Sequence, residues 1–136
     1  MISKMTHVSI YVLNQASAID FYTNKLGFKI ITDVPMPDGD RWITVGPPEQ
    51  PGFELILSPV TRGGQRSEET VTALKDLIRK GTFGTGLFTC NDIFATYEEM
   101  KAKGVEFTKA PKKEHYGTEA IFKDDSGNWF SLAQLN

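Results

Sequence analysis

Only two imidazoles occur in this 136-residue chain, His7 and His115, and the first stands where two kinds of side chain alternate. From Met5 to Val12, the residues Thr6, Val8, Ile10 and Val12 interleave with Met5, His7, Ser9 and Tyr11, a period of two that marks a strand with unlike faces. The aliphatic face suits a core, and the other carries a titratable ring beside hydroxyls. Glu54 is the second notable group. It sits inside Phe53-Glu54-Leu55-Ile56-Leu57, where a carboxylate is costly unless it is paired, coordinated or wet. Alternation groups it with Ile56 and Ser58, so it faces either a cavity or solvent. Glu119, in the strand-like stretch from Tyr116 to Lys123, is a further carboxylate able to act as a general base if its strand borders a cavity. His115 precedes that stretch, after a short basic loop, Lys109-Ala110-Pro111-Lys112-Lys113. Tyr11, Trp42, Phe53 and Trp129 supply aromatic surface on strands, with Tyr116 at the start of another. Each could simply pack in a core, but as a set they suit a flat or apolar small molecule.

The elements that position these groups fall in a clear order. After the strand ending at Val12, Asn14 caps a helix running to about Leu26, with Gly27 as its stop. Strands follow at Phe28 to Val34, Arg41 to Val45 and Phe53 to Leu57, separated by turn-forming Pro and Gly stretches. Beyond the connector Arg62-Gly63-Gly64, Ser67 caps a helix to Lys80 whose first turn is acidic and last turn basic. Its Val71, Leu74, Leu77 and Ile78 predict one buried stripe. The chain then restarts, with a strand from Phe83 to Cys90, a helix from Asn91 or Asp92 to Lys103, and strands opening at Val105, Tyr116 and Trp129. Gly81 to Gly86 is glycine-rich but leads into a strand and lacks the lysine of a phosphate loop.

Composition narrows the function classes. Fifteen Lys and Arg against seventeen Asp and Glu give a net charge of -2, which disfavours a nucleic-acid surface. Cys90 is the single cysteine, excluding an internal disulfide and any multi-cysteine zinc site, and its strand face predicts a buried, inert thiol. No stretch approaches the roughly 20 apolar residues of a membrane span, and the polar start forms no signal-type run. The expectation is a cytoplasmic protein with neither nucleic acid nor membrane as partner.

The two halves superpose in sequence. Lys25-Leu26-Gly27-Phe28-Lys29-Ile30 matches Ala102-Lys103-Gly104-Val105-Glu106-Phe107 at an offset of 77, as Phe53-Glu54-Leu55 matches Phe130-Ser131-Leu132. The first strands match at 78, which sets His7 against Thr85 and Asn14 against Asp92. The reading is an α+β fold of two tandem βαβββ modules, residues 4–60 and 82–136, joined by a linker helix over 67–80, with 1–136 folding as a single domain.

This pattern resembles the vicinal-oxygen-chelate superfamily of glyoxalase I, bleomycin-resistance proteins and extradiol dioxygenases. The resemblance is carried by Thr6-His7-Val8-Ser9-Ile10-Tyr11-Val12, by Phe21-Tyr22-Thr23-Asn24-Lys25-Leu26-Gly27-Phe28, and by Asp124-Asp125-Ser126-Gly127-Asn128-Trp129-Phe130-Ser131-Leu132. It implies a partly open, barrel-like sheet around a concave site, a homodimer, and four metal-ligand positions: His7, Glu54, Thr85 and Ser131. Thr85 and Ser131 are hydroxyls, poor donors to zinc, nickel, manganese or iron, which leaves His7 and Glu54 as the metal ligands. Two expectations stand side by side. One is a lyase or isomerase with a degenerate divalent-metal site, using Glu54 and Glu119 as catalytic carboxylates. The other is a metal-free binder of small molecules or drugs, with Tyr11, Trp42, Phe53, Thr85, Tyr116, Trp129 and Ser131 lining its site.

Overall fold

A computed structural model describes residues 1–62 and 64–136. The middle glycine of the Arg62-Gly63-Gly64 connector therefore lies outside the described residues. The chain divides into two compact units, Met1–Lys75 and Asp76–Asn136.

The first unit carries β1 (His7–Val12), α1 (Gln15–Asp20), a π-helical turn (Phe21–Lys25), β2 (Lys29–Pro35), β3 (Arg41–Gly46) and β4 (Glu54–Pro59). Its sheet has the order β1-β4-β3-β2, with β1 parallel to β4 and the other pairs antiparallel. Asn14 starts α1 by accepting a hydrogen bond from the Ser17 amide at 2.8 Å. The predicted helix to Leu26 widens after Asp20, where the Leu26 amide bonds the Phe21 carbonyl five residues back. The alternation in β1 holds: Ile10 and Val12 are buried while His7 and Ser9 are exposed. Ile10, Val12, Ile43, Val45, Leu55 and Leu57 make the sheet's contribution to the core, and Ala18, Phe21 and Tyr22 make the helix's.

The linker helix α2 (Glu68–Arg79) starts at Ser67, whose Oγ accepts from the Thr70 amide at 3.1 Å. The predicted buried stripe is narrower than expected. Ile78 is buried, Val71 and Leu74 are half-buried, and Leu77 is exposed.

The second unit repeats the plan with β5 (Gly84–Thr89), α3 (Ile93–Ala102), β6 (Glu106–Glu114), β7 (Gly117–Lys123) and β8 (Trp129–Leu135), in the order β5-β8-β7-β6. Asp92 caps α3 by accepting from the Ala95 amide at 3.1 Å. Phe88, Phe122 and Phe130 stack in its core, with ring centroids 4.9 Å apart for Phe88 and Phe130. Lys109 to Lys113, expected as a loop, instead lies within β6. The strand is an edge of its sheet, and an edge tolerates both the proline and the lysines because one side of its backbone needs no ladder partner. The Asp124 to Asn128 turn is locked by one carboxylate: Asp124 Oδ1 accepts from the amides of Ser126, Gly127 and Asn128 at 2.9, 2.9 and 3.0 Å. Each unit thus carries one four-stranded mixed sheet. Among the described residues no helix is long and apolar enough to cross a membrane.

Candidate functional site

Parallel pairing of β1 with β4 sets His7 directly opposite Glu54, so their side chains leave the same face of the sheet. His7 Nε2 lies 2.8 Å from Glu54 Oε2. The other carboxylate oxygen, Oε1, accepts a 2.7 Å hydrogen bond from the Thr44 hydroxyl on β3. Thr44 is fully buried, and its Oγ1 also accepts from the Thr32 amide at 3.1 Å. On the outer side, His7 Nδ1 meets Thr6 Oγ1 at 2.7 Å. The carboxylate that looked costly on an apolar strand is thus paired at both oxygens. A carboxylate only accepts, so Nε2 carries the proton of that bond, while Nδ1 faces the Thr6 hydroxyl, a group able to donate or accept.

Farther along the same face, Tyr11 stands opposite Ser58, and Trp42 lies two residues from Thr44 on β3. Two arginines from the segment after β4 lie over these rings. The Arg66 guanidinium is 4.9 Å from the Tyr11 ring centroid and donates to the Tyr11 hydroxyl at 3.0 Å. The Arg62 guanidinium is 5.8 Å from the Trp42 ring. Phe53 differs from the other aromatic residues. It precedes β4 by one position, and the pleat sends it to the face opposite Glu54.

In the second unit the equivalent face is built differently. Ser131 on β8 is opposite Leu87, and Thr85 falls at a break in register between Gly84 and Gly86. His7 pairs with Glu54, but its sequence counterpart Thr85 does not pair with Ser131. Glu119 is engaged by a cation: its Oε1 is 2.9 Å from Lys109 Nζ, which also lies 3.2 Å from Glu114. The Lys109 hydrogen bond holds the Glu119 carboxyl below the usual carboxylate range against the opposing effect of burial, with Tyr116 and Ser131 also donating to it. The same Glu119 bond raises the Lys109 ammonium, and burial followed by Glu119 raises the Tyr116 phenol. Tyr116 and His115 form the β6–β7 turn, both exposed, with ring centroids 5.2 Å apart. Trp129 lies flat against β5: a β-carbon on Gly84 would sit 2.3 Å from its indole, so the glycine is what admits the ring. Cys90, half-buried just past β5, donates weakly to the Ala133 carbonyl, and burial pushes its thiol up, away from nucleophilic use.

Among the described residues no group of three or more His, Cys, Asp or Glu side chains converges as a metal site. His7 and Glu54 are two donors, bonded to each other, and the positions expected to complete the set are hydroxyls out of register. This donor chemistry does not fit the four-ligand metal site that the family resemblance implies. The residues that sequence reasoning missed are Thr44, Arg62, Arg66 and Lys109. Arg66 reaches Tyr11 across 55 positions of sequence, and no periodicity announces such a contact.

Residues 4–132 match the family described as the Glyoxalase/Bleomycin resistance protein/Dioxygenase superfamily. The protein YetH of Bacillus subtilis (strain 168) is 34% identical over 136 residues, covering 98% of this chain and 100% of its own. The crystal structure of UcmS2 aligns with a TM-score of 0.91 at 45% identity, covering 98% of each chain. TnmS3, an antibiotic binding protein from Streptomyces sp. CB03234, aligns with a TM-score of 0.77 at 27% identity, over 99% of this chain and 98% of its own.

Proposed function

This chain belongs to the glyoxalase/bleomycin resistance protein/dioxygenase superfamily, and we propose that within it the protein is a metal-free binder of aromatic small molecules. The observation that carries this reading is the closed hydrogen-bonded pair of His7 and Glu54. Both Glu54 oxygens and both His7 nitrogens have protein partners, so a metal would have to displace hydrogen bonds that the chain already makes. What the same face offers instead is aromatic surface, Tyr11 and Trp42, beside a few fixed polar groups, the usual make-up of a small-molecule site. The antibiotic-binding relative TnmS3 supports the same reading. Lyase or isomerase chemistry would need an electrophile to hold developing negative charge, and the paired donors do not favour one. The homodimer and the cytoplasmic location are further parts of the proposal, and light scattering on the purified chain tests the first against the monomer's 15.2 kDa.

The decisive experiment measures metal in protein purified without chelator, alongside the His7→Ala, Glu54→Ala double variant. The expected result is substoichiometric metal in both, with no change in melting temperature on adding zinc, nickel, manganese or ferrous iron. Stoichiometric metal that disappears in the double variant would overturn the reading. A thermal-shift panel of aromatic antibiotics is expected to yield stabilising ligands, and a wholly flat panel counts against small-molecule binding.

A further inference from the structure

Arg62 and Arg66 carry two full positive charges, yet among the described residues neither forms a salt bridge. Their acceptors are neutral. Arg66 Nη1 donates to the carbonyls of Val60 and Arg62, and its Nη2 donates to the Tyr11 hydroxyl. Arg62 Nη2 donates to the Arg41 carbonyl at 3.0 Å. Arg62 Nη1 is buried and has no hydrogen-bond partner among the described residues. By contrast Arg41, the cation on the neighbouring strand, has Asp33 at 2.6 Å.

A half-buried guanidinium with an unpaired N–H is expensive, and a second positive charge over the same sheet face adds to the cost. Arg66 bonds the main chain of Arg62, and the two guanidiniums lie over Tyr11 and Trp42, rings that leave the same face of one sheet. An oxyanion bridging them would offset both costs, because a carboxylate matches the guanidinium fork with two parallel hydrogen bonds. The rings over which the heads lie, Tyr11 and Trp42, leave the face that also bears His7 and Thr44. An anion held at the arginines would therefore carry its organic part along an aromatic surface.

We propose that Arg62 and Arg66 form an oxyanion subsite, and that the ligand of this protein is an aromatic compound bearing a carboxylate. The subsite rests on the small-molecule reading above and narrows its ligand class. The carboxylate engages Arg62 as its side chain turns off the Arg41 carbonyl and brings the enclosed Nη1 to the ligand, while Arg66 supplies the second charge over Tyr11.

The test compares 1-naphthoate with its neutral counterpart 1-naphthamide, titrated at fixed ionic strength. The chain has two tryptophans, so a Trp129→Phe background makes Trp42 the sole indole reporter. Naphthoate is expected to bind about tenfold to a hundredfold tighter than naphthamide, the range for a charge-assisted pair. Arg62→Gln and Arg66→Gln, each checked for an unchanged circular dichroism spectrum, should erase that preference while leaving naphthamide affinity in place. Arg62→Lys keeps the charge without the fork and should retain only part of it. Equal binding of the two probes by the parent protein, or a preference surviving both glutamine variants, overturns the subsite and leaves the small-molecule reading standing. Binding of neither probe also overturns the subsite, and the antibiotic panel then judges the broader reading separately.

Discussion

Thr44→Val tests the hydrogen-bonded site most directly, because the change keeps the side chain's shape and deletes one hydroxyl. Thr44 is fully buried on β3, donates to Glu54 Oε1 at 2.7 Å and accepts from the Thr32 amide at 3.1 Å. A hydrogen bond to a charged group contributes about 1.5–3 kcal/mol. Glu54's side chain is 20% exposed, so water recovers part of the loss and the low end, about 1.5 kcal/mol, applies. Stranding the Thr32 amide adds about 1 kcal/mol, for a total of about 2.5 kcal/mol. With an unfolding entropy of about 2.1 cal/mol/K per residue, the melting temperature should fall by about 9 °C. The Thr32 contribution must be separated from the Glu54 contribution, and a double-mutant cycle does so. Glu54→Met removes the carboxylate at nearly constant volume, and its effect on His7 cancels between the two backgrounds. Thermal and urea unfolding of the four proteins, followed by circular dichroism, should give a coupling of about 1.5 kcal/mol between positions 44 and 54. A coupling within about 0.3 kcal/mol of zero would refute the claim that the buried hydroxyl holds the carboxylate.

The Lys109–Glu119 pair makes a pH prediction. Glu119's folded pKa is depressed, so its contribution is present above the unfolded carboxylate range and is lost as pH falls through the folded value. Lys109's is raised, so its contribution is present below the unfolded ammonium range and is lost as pH rises through the folded value. The stability advantage of the parent over Lys109→Met should therefore form a plateau from about pH 5 to about pH 10 and shrink on both sides; an advantage unchanged down to about pH 2 would contradict the pairing. Gly127 has φ +119, and a β-carbon there would stand 2.2 Å from the Ile78 carbonyl. Gly127→Ala should cost at least about 3 kcal/mol in urea unfolding, and a cost under about 1 kcal/mol would mean that the turn relaxes freely. Asp124→Ala leaves three amides without their acceptor and should cost about 3 kcal/mol, whereas Asp92→Ala, which removes one helix cap, should cost about 1 kcal/mol. Equal losses in those two variants would show that the turn is not held by its carboxylate.

Local chemistry was readable from the residues alone. The β1 alternation, the caps at Asn14, Ser67 and Asp92, and the 77-residue offset all depend on neighbours a few positions apart or on a duplicated pattern, and each appears where expected. That His7 and Glu54 share a site was implied by the family resemblance, which makes both of them metal-ligand positions, and the parallel pairing of β1 with β4 sets them side by side. Three features escaped. Lys109 to Lys113 read as a loop because proline and lysines argue against a strand, and that argument fails at the sheet edge, where β6 lies. Thr85 read as the counterpart of His7, but one irregular position in β5 set Leu87 opposite Ser131 instead, and register is invisible until strands pair. The cation at Glu119 and the arginines over Tyr11 and Trp42 come from segments whose meeting only the folded chain brings about. Composition counted 15 basic and 17 acidic residues and so predicted near neutrality. Where those charges face one another, and that Arg62 and Arg66 have no salt-bridge partner among the described residues, is a matter of three-dimensional proximity, because Coulomb energy depends on separation in space and not along the chain.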